Sequence, residues 1–117
     1  MSAYTPSETS RRSGFSLDTL RYYERIGLLD DVERTSGGRR VYRDDHIDWL
    51  GVLHCLRRTG MPVREMRRYA ELTRDGEATE AERLAILEEH RAAVLAEIDE
   101  LRKALSVIDG KIAYYRR

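Results

Sequence analysis

Two sets of side chains in this sequence could do chemistry: recognition in one case, nucleophilic reactivity in the other. The first set is basic and hydroxyl-bearing. Ser16, Thr19, Arg21, Tyr22 and Tyr23 fall within eight residues, and Arg39, Arg40 and Tyr42 follow further on. A guanidinium makes paired hydrogen bonds to phosphate oxygens or to a guanine edge, and a hydroxyl donates to phosphate. Ser16 and Thr19 open a helical stretch, where the helix dipole favours an anion. The second set is Cys55 alone, the one cysteine of the chain. A thiolate adds to electrophiles, and neighbouring charge decides how much thiolate is present.

Catalysis finds no support. There is no glycine-rich phosphate loop, no close carboxylate pair, and no Ser or Cys with a recognisable base. His54 adjoins Cys55 in sequence but points about 100° away from it on a helix, a poor place for a general base. His46, His54, His90 and Cys55 show no metal-ligand spacing. We therefore expect no enzyme activity, no metal and no cofactor.

For Cys55 two readings stay open. An unpaired cysteine is by default a buried small hydrophobe. On a helical wheel, however, Trp49, Val52, Leu53 and Leu56 share one face, and Cys55 lies off its centre among Asp48, Gly51 and Arg58. Arg58 would favour a thiolate; Asp48 and Asp44 would oppose it.

The elements that must position these residues are mostly helices. Thr5 with Glu8 three residues on is a capping-box pattern, and Pro6 suits the first helical position, so a short helix should run to about Ser13. Gly14 allows a turn. Ser16 then caps a second helix, with Asp18 in its first turn, that stops near Gly27. Two short helices joined by a turn make a helix-turn-helix. Ser36-Gly37-Gly38 is a turn signal flanked by Val32, Val41 and Tyr42, which reads as a hairpin with arginines near its tip. A third helix should span about 44–58 and a fourth about 62–73, before Asp75-Gly76 breaks the chain.

From Thr79, paired with Glu82 as a second capping box, to Tyr115 there is no proline. Leu84 and Leu87 begin an apolar series, and from Val94 the steps through Ile98, Leu101, Leu105, Ile108, Ile112 and Tyr115 run 4, 3, 4, 3, 4, 3. That is a heptad seam, interrupted earlier by Arg91. About 37 residues at about 1.5 Å each give a rod of roughly 55 Å. Its seam needs a partner, and a second copy is the simplest one, so Leu87, Val94, Ile98, Leu101, Leu105, Ile108 and Ile112 are expected at a homodimer interface.

Charge fits a focused site rather than a general polyanion binder. The 21 basic and 21 acidic residues cancel, yet residues 34–43 carry four arginines and no acid, while residues 77–117 hold seven basic and nine acidic residues. Arginine supplies 19 of the 21 basic residues, which favours bidentate contacts. No apolar run approaches the roughly 18 residues that span a membrane. The N-terminal stretch has no apolar signal core, so a cytoplasmic protein without membrane association is expected.

This order of elements resembles the MerR family of bacterial transcription regulators. The residues that carry the resemblance are Tyr4-Thr5, then Thr19-Leu20-Arg21-Tyr22-Tyr23-Glu24 with Gly27-Leu28-Leu29, then Gly38-Arg39-Arg40-Val41-Tyr42. The spacing of Asp44-Asp45-His46-Ile47 and of Leu56-Arg57-Arg58-Thr59-Gly60-Met61 also matches. The last of these motifs, placed after a lone cysteine, and the ending Ile108-Asp109-Gly110-Lys111-Ile112-Ala113-Tyr114-Tyr115 are similar to the branch of thiol-based aldehyde and electrophile sensors.

The resemblance implies a mainly α fold. Residues 1–75 would form a winged helix-turn-helix DNA-binding domain, with the helix-turn-helix at about 5–26 and the wing at about 30–43. Residues 79–115 would form a long antiparallel coiled-coil dimerisation helix. It further implies a homodimer on a pseudo-palindromic promoter operator of double-stranded DNA, distorting it so that RNA polymerase engages both promoter elements. The location implied is the bacterial cytoplasm, at the nucleoid. Ser16, Thr19, Arg21, Tyr22, Tyr23, Arg39, Arg40 and Tyr42 would meet DNA. Many relatives have an aromatic and a second arginine where this chain has Arg39 and Val41. Drug-sensing relatives append a pocket domain after the long helix, and metal-sensing ones place cysteines at its ends. Neither pattern is present here, which leaves Cys55, either as the sensor of a small electrophile, as the resemblance implies, or as a structural cysteine. The alternative is an effector-independent architectural or excisionase-like DNA-binding protein.

Overall fold

The computed structural model describes residues 2–117. It is mainly helical with one small sheet. Its first helix, α1 (Pro6–Ser13), starts where local chemistry satisfies the free backbone N–H groups. Glu8 N–H donates to the Thr5 hydroxyl and Thr5 N–H donates to the Glu8 carboxylate, both at 3.1 Å. Gly14 then turns the chain with φ 79°, and a Cβ there would lie 3.2 Å from the His54 ring. Ser16 caps α2 (Leu17–Arg25) by accepting from Thr19 N–H at 3.1 Å. That helix ends in a Schellman turn. Leu28 N–H donates to the Tyr23 carbonyl at 2.8 Å and Gly27 N–H to Glu24 at 3.3 Å, with Gly27 at φ 86°. The turn drives Leu28 into the core.

The hairpin pairs β2 (Glu33–Arg34) antiparallel to β3 (Arg40–Arg43), with Glu33 opposite Val41 and Arg34 opposite Arg40. One strand is not legible in the sequence. The pair Ala3–Tyr4, β1, adds to the other side of β3, with Ala3 opposite Arg43 and Tyr4 opposite Tyr42, so the sheet order is β1-β3-β2. The Tyr4 hydroxyl donates to Asp44 at 2.7 Å, fixing the strand to the start of α3 (Asp44–Arg58). The carboxylates of Glu8 and Asp44 are both held below their ordinary range. Glu8 owes this to the Thr5 backbone N–H and then its hydroxyl, Asp44 to the Tyr4 hydroxyl and then Ser2 N–H.

The core lies where α1, α2, α3 and α4 (Val63–Arg74) meet the sheet. Leu20, Leu28, Leu29, Tyr42, Leu50, Leu53, Met61 and Met66 are its fully sequestered large residues. Each such aliphatic side chain stabilises the fold by about 1.5–3 kcal/mol relative to exposure. Trp49 is half-buried, stacks on Tyr69 at 5.9 Å and donates its indole N–H to the Leu28 carbonyl at 2.7 Å. Arg74 reaches back from the end of α4 to the Gly27 carbonyl and lies 2.9 Å from the Asp30 carboxylate. The loop that follows α2 is thus held from two sides.

A short 3-10 turn, Gly76–Thr79, leads into α5 (Glu80–Arg116). The expected Thr79–Glu82 capping box does not form. The Thr79 side chain is buried and its hydroxyl turns back to the Leu72 and Gly76 carbonyls, so it is not available to the first N–H groups of α5. Ile86 and Leu87 pack against the core, and His90 meets the Thr59 hydroxyl at 2.7 Å. From Leu95 onward every residue is exposed, and the molecule measures 68 × 35 × 24 Å.

Candidate nucleic-acid interface

The adjoining tyrosines of α2 part company. Tyr22 is 41% exposed and Tyr23 is 3% exposed. Successive helical residues point about 100° apart, so only one could face the core. Tyr23 does, meeting Phe15 edge-on at 5.1 Å. Burial pushes its phenol pKa up, against the nearby Arg57 guanidinium, so it stays neutral. Tyr22 is left on the surface with the Arg25 guanidinium 5.6 Å over its ring.

Arg21 lies on the same exposed helix, 3.2 Å from Asp18. Both partners are largely in water, so this pair is worth little and leaves the guanidinium available to a stronger anion. Ser16 and Thr19 sit at the N-terminal end, their hydroxyls 3.0 Å apart. Serving as the cap does not hide them, since Ser16 is exposed and Thr19 half-buried.

On the wing the expected residues divide in the same way. Arg39 is exposed at the turn and, among the described residues, makes no ion pair. Arg40 is half-buried and its Nε lies 2.5 Å from the Glu24 carboxylate. Tyr42 is only 1% exposed, because alternation along β3 turns it inward. Burial raises the Tyr42 phenol pKa, Glu24 adds to the rise, and Arg40, Arg21 and Arg34 oppose it. The expectation that Tyr23 and Tyr42 present their side chains to DNA is therefore corrected: both lie beneath the face and support it. Arg40 and Arg34 of the wing both lie within 4.0 Å of Glu24 on α2, so the basic wing stands against that helix.

Three residues of this surface went unassigned in the sequence. Arg34 was counted in the basic run without a role. Arg25 and Glu24 close the same helical stretch, and Glu24 is the acid inserted among the arginines.

Cys55 is a free, exposed thiol on α3. Leu50, Leu53 and Leu56 form the buried stripe of that helix, while Val52, expected on it, is exposed. The Cys55 carbonyl accepts from the Thr59 hydroxyl at 2.7 Å, and the same hydroxyl meets His90 of α5. Among the described residues no group of three or more His, Cys, Asp or Glu could hold a metal ion, and no helix is long and apolar enough to cross a membrane.

On α5, Ile98, Leu101, Leu105, Ile108 and Ile112 are exposed, Val94 is half-buried, and Leu87 is engaged by its own core.

Comparison with known proteins places this arrangement. Residues 4–73 match the family described as MerR HTH family regulatory protein, and residues 47–110 match that described as MerR, DNA binding. An HTH-type transcriptional regulator of Haemophilus influenzae is 37% identical over 114 residues, covering 97% of this chain and 84% of that protein. The HTH-type transcriptional regulator AdhR of Bacillus subtilis is 32% identical over 89 residues, covering 76% of this chain and 64% of its own length. Among crystal structures, HiNmlR, described as a MerR family regulator lacking the sensor domain and bound to promoter DNA, superposes with a TM-score of 0.92 at 36% identity. It covers 99% of this chain and 88% of that one. A MerR family regulator from Listeria monocytogenes gives 0.89 at 34% identity, over 97% and 86% of the two chains.

Proposed function

The chain belongs to the MerR family of helix-turn-helix regulators, a family of transcriptional regulators and not of enzymes, and from that premise we propose that it binds promoter DNA as a homodimer. Residues 1–75 form the DNA-binding unit in this reading and residues 79–115 the dimerisation helix. The observation that carries it is that Arg34 and Arg40 of the wing both reach Glu24 of α2, which sets the basic wing beside the helix that bears Arg21. A groove-reading helix flanked by a backbone-gripping wing needs that adjacency. Ser16, Thr19, Arg21 and Tyr22 would meet the major groove and its phosphates, with Arg39 at the wing tip on the flanking backbone.

The dimer follows from α5. A lone helix with five large apolar residues exposed along one seam is a poor solution in water. A second copy laid antiparallel covers the seam of both chains. A two-fold dimer then sets two α2 helices against two half-sites. Distortion of the intervening DNA would let polymerase engage both promoter elements, and sequence would be read partly as deformability.

The proposed signal is an electrophile, such as an aldehyde, at Cys55. Its support is the exposed thiol on α3 and the Thr59 hydroxyl that joins its carbonyl to His90 on α5. Adduct formation there would act on the junction between the two units.

Two measurements test the reading. A palindromic duplex selected by the protein from a random-sequence pool should bind with strong salt dependence. Arg21→Ala should lose about tenfold in affinity and reduce the salt slope by about 1. Binding indifferent to Arg21 would remove α2 from the interface. Transcription in vitro from the gene's own promoter should respond to an aldehyde in the wild type and not in Cys55→Ser. Equal responses would discard the cysteine and leave the DNA-binding reading standing.

A further inference from the structure

Glu24 is out of place on a surface that meets phosphate. Its carboxylate, on α2, is repelled by the backbone it should approach, and removing it ought to tighten binding. The geometry gives it another task. Arg40 Nε lies 2.5 Å from one carboxylate oxygen and an Arg34 terminal nitrogen 4.0 Å from the other, with the acid only 24% exposed between them. Arg34 in turn donates to the Gly38 carbonyl at 3.1 Å, inside the wing turn. The next residue is Arg39, whose N–H is held by the Thr35 hydroxyl at 3.2 Å.

A chain of contacts therefore runs from α2 through Glu24 and Arg34 to the backbone beside Arg39. β3 is anchored by its pairing with β1 and by buried Tyr42, but the outer part of the wing is not: β2 has two residues, and positions 33–39 are all exposed. Nothing else among the described ion pairs joins α2 to the hairpin. A half-buried carboxylate answered by two guanidinium groups is the kind of contact that fixes an angle between two elements.

We infer that Glu24 is a positioning residue for DNA binding: it braces Arg34 and Arg40 as struts, so that Arg39 at the wing tip is presented to phosphate at a fixed distance from α2. The inference rests on the DNA-binding reading and divides the wing arginines. Arg39 grips, while Arg40 holds the wing in place.

The test is binding of the duplex selected by the wild type, followed by fluorescence anisotropy between 50 and 200 mM salt. Charge alone predicts tighter binding by Glu24→Gln; bracing predicts weaker binding, by about tenfold. Arg40→Ala should lose a similar factor, and the double variant should lose no more than the worse single variant. Arg39→Ala should lower the salt slope by about 1, and adding Arg40→Ala to it should lower the slope no further, since Arg40 acts through Arg39. Glu24→Gln binding as tightly as the wild type, or losses that multiply in the double variant, would overturn the inference. So would a slope that falls by about 2 when Arg39→Ala and Arg40→Ala are combined, since Arg40 would then hold a phosphate of its own. If Glu24→Gln loses helical circular dichroism, the exchange of Glu24→Arg with Arg40→Glu replaces it. That exchange must bind more tightly than either single change, and failure to do so counts against the brace. A wild type that selects and binds no duplex would sink the DNA-binding reading itself, an outcome separate from these.

Discussion

Leu50 and Leu105 are the same residue on two helices of one chain, and they meet opposite surroundings. Leu50 on α3 is fully enclosed, whereas Leu105 on α5 is 56% exposed. The two regions solve one problem in different ways. Residues of α1 to α4 and the sheet complete their own core and satisfy their helix ends with Thr5, Ser16 and the turn at Gly27. The distal half of α5 completes nothing by itself. Stability in the first region is a property of the chain; in the second, under the proposed dimer, it becomes a property of concentration.

That contrast predicts where charge does most damage. Leu101→Glu with Leu105→Glu places four carboxylates in the seam of a dimer, two from each chain. Sedimentation at micromolar concentration should then show a monomer, and affinity for a two-half-site duplex should fall by about a hundredfold or more as linkage between half-sites is lost. A dimer that survived would refute α5 as the interface. Leu50→Ala should act otherwise. It should cost about 2–5 kcal/mol in urea unfolding, by transfer and cavity terms, with a loss independent of protein concentration. A concentration-dependent loss would mean that the two regions do not separate as the burial pattern implies.

Ser16→Ala should cost less, about 1 kcal/mol, because one capped N–H of α2 loses its acceptor while the apolar packing stays. The size of that effect mirrors what the sequence could and could not reveal. Caps such as Thr5 with Glu8 are legible because both partners lie within one turn. The heptad seam is legible because its period is regular over several turns. β1 was not, since two residues carry no pattern and its bond from Tyr4 to Asp44 spans 40 positions.

The exposed basic face was legible as a stretch of sequence and less so side chain by side chain. Phe15 and the shape of the core decide that Tyr23 turns inward and Tyr22 outward. Tyr42 stood between arginines, and its neighbours suggested an interface, but strand alternation inside a three-stranded sheet places it beneath. Glu24 escaped because a charge count along the chain cannot see that two wing arginines fold over one helix residue. Thr79 misled in the opposite direction: a correct capping pattern was overridden by nearby carbonyls that claimed its hydroxyl first.

The smallest expected effect separates the regions by pH. Glu8 and Asp44 both have carboxyls held below their ordinary values by hydrogen bonds, and both belong to the N-terminal edge of the DNA-binding unit. A carboxyl whose folded pKa is depressed stabilises the fold above its unfolded value, about 4.3 for Glu and 3.9 for Asp, and loses that contribution as pH falls through the lower folded value. Both groups are open to solvent, which screens the gain, so the whole molecule should not unfold on their account. The change should be local. Protection of the Tyr4 and Glu8 amides, relative to the intrinsic exchange rate, should fall below about pH 4, while the α5 amides near Leu105 follow only the intrinsic rate change. Asp44→Asn should raise exchange at Tyr4 already at neutral pH and flatten its acid response. If Tyr4 kept its protection through that acid range, the Tyr4–Asp44 bond would not be what holds β1 to the sheet.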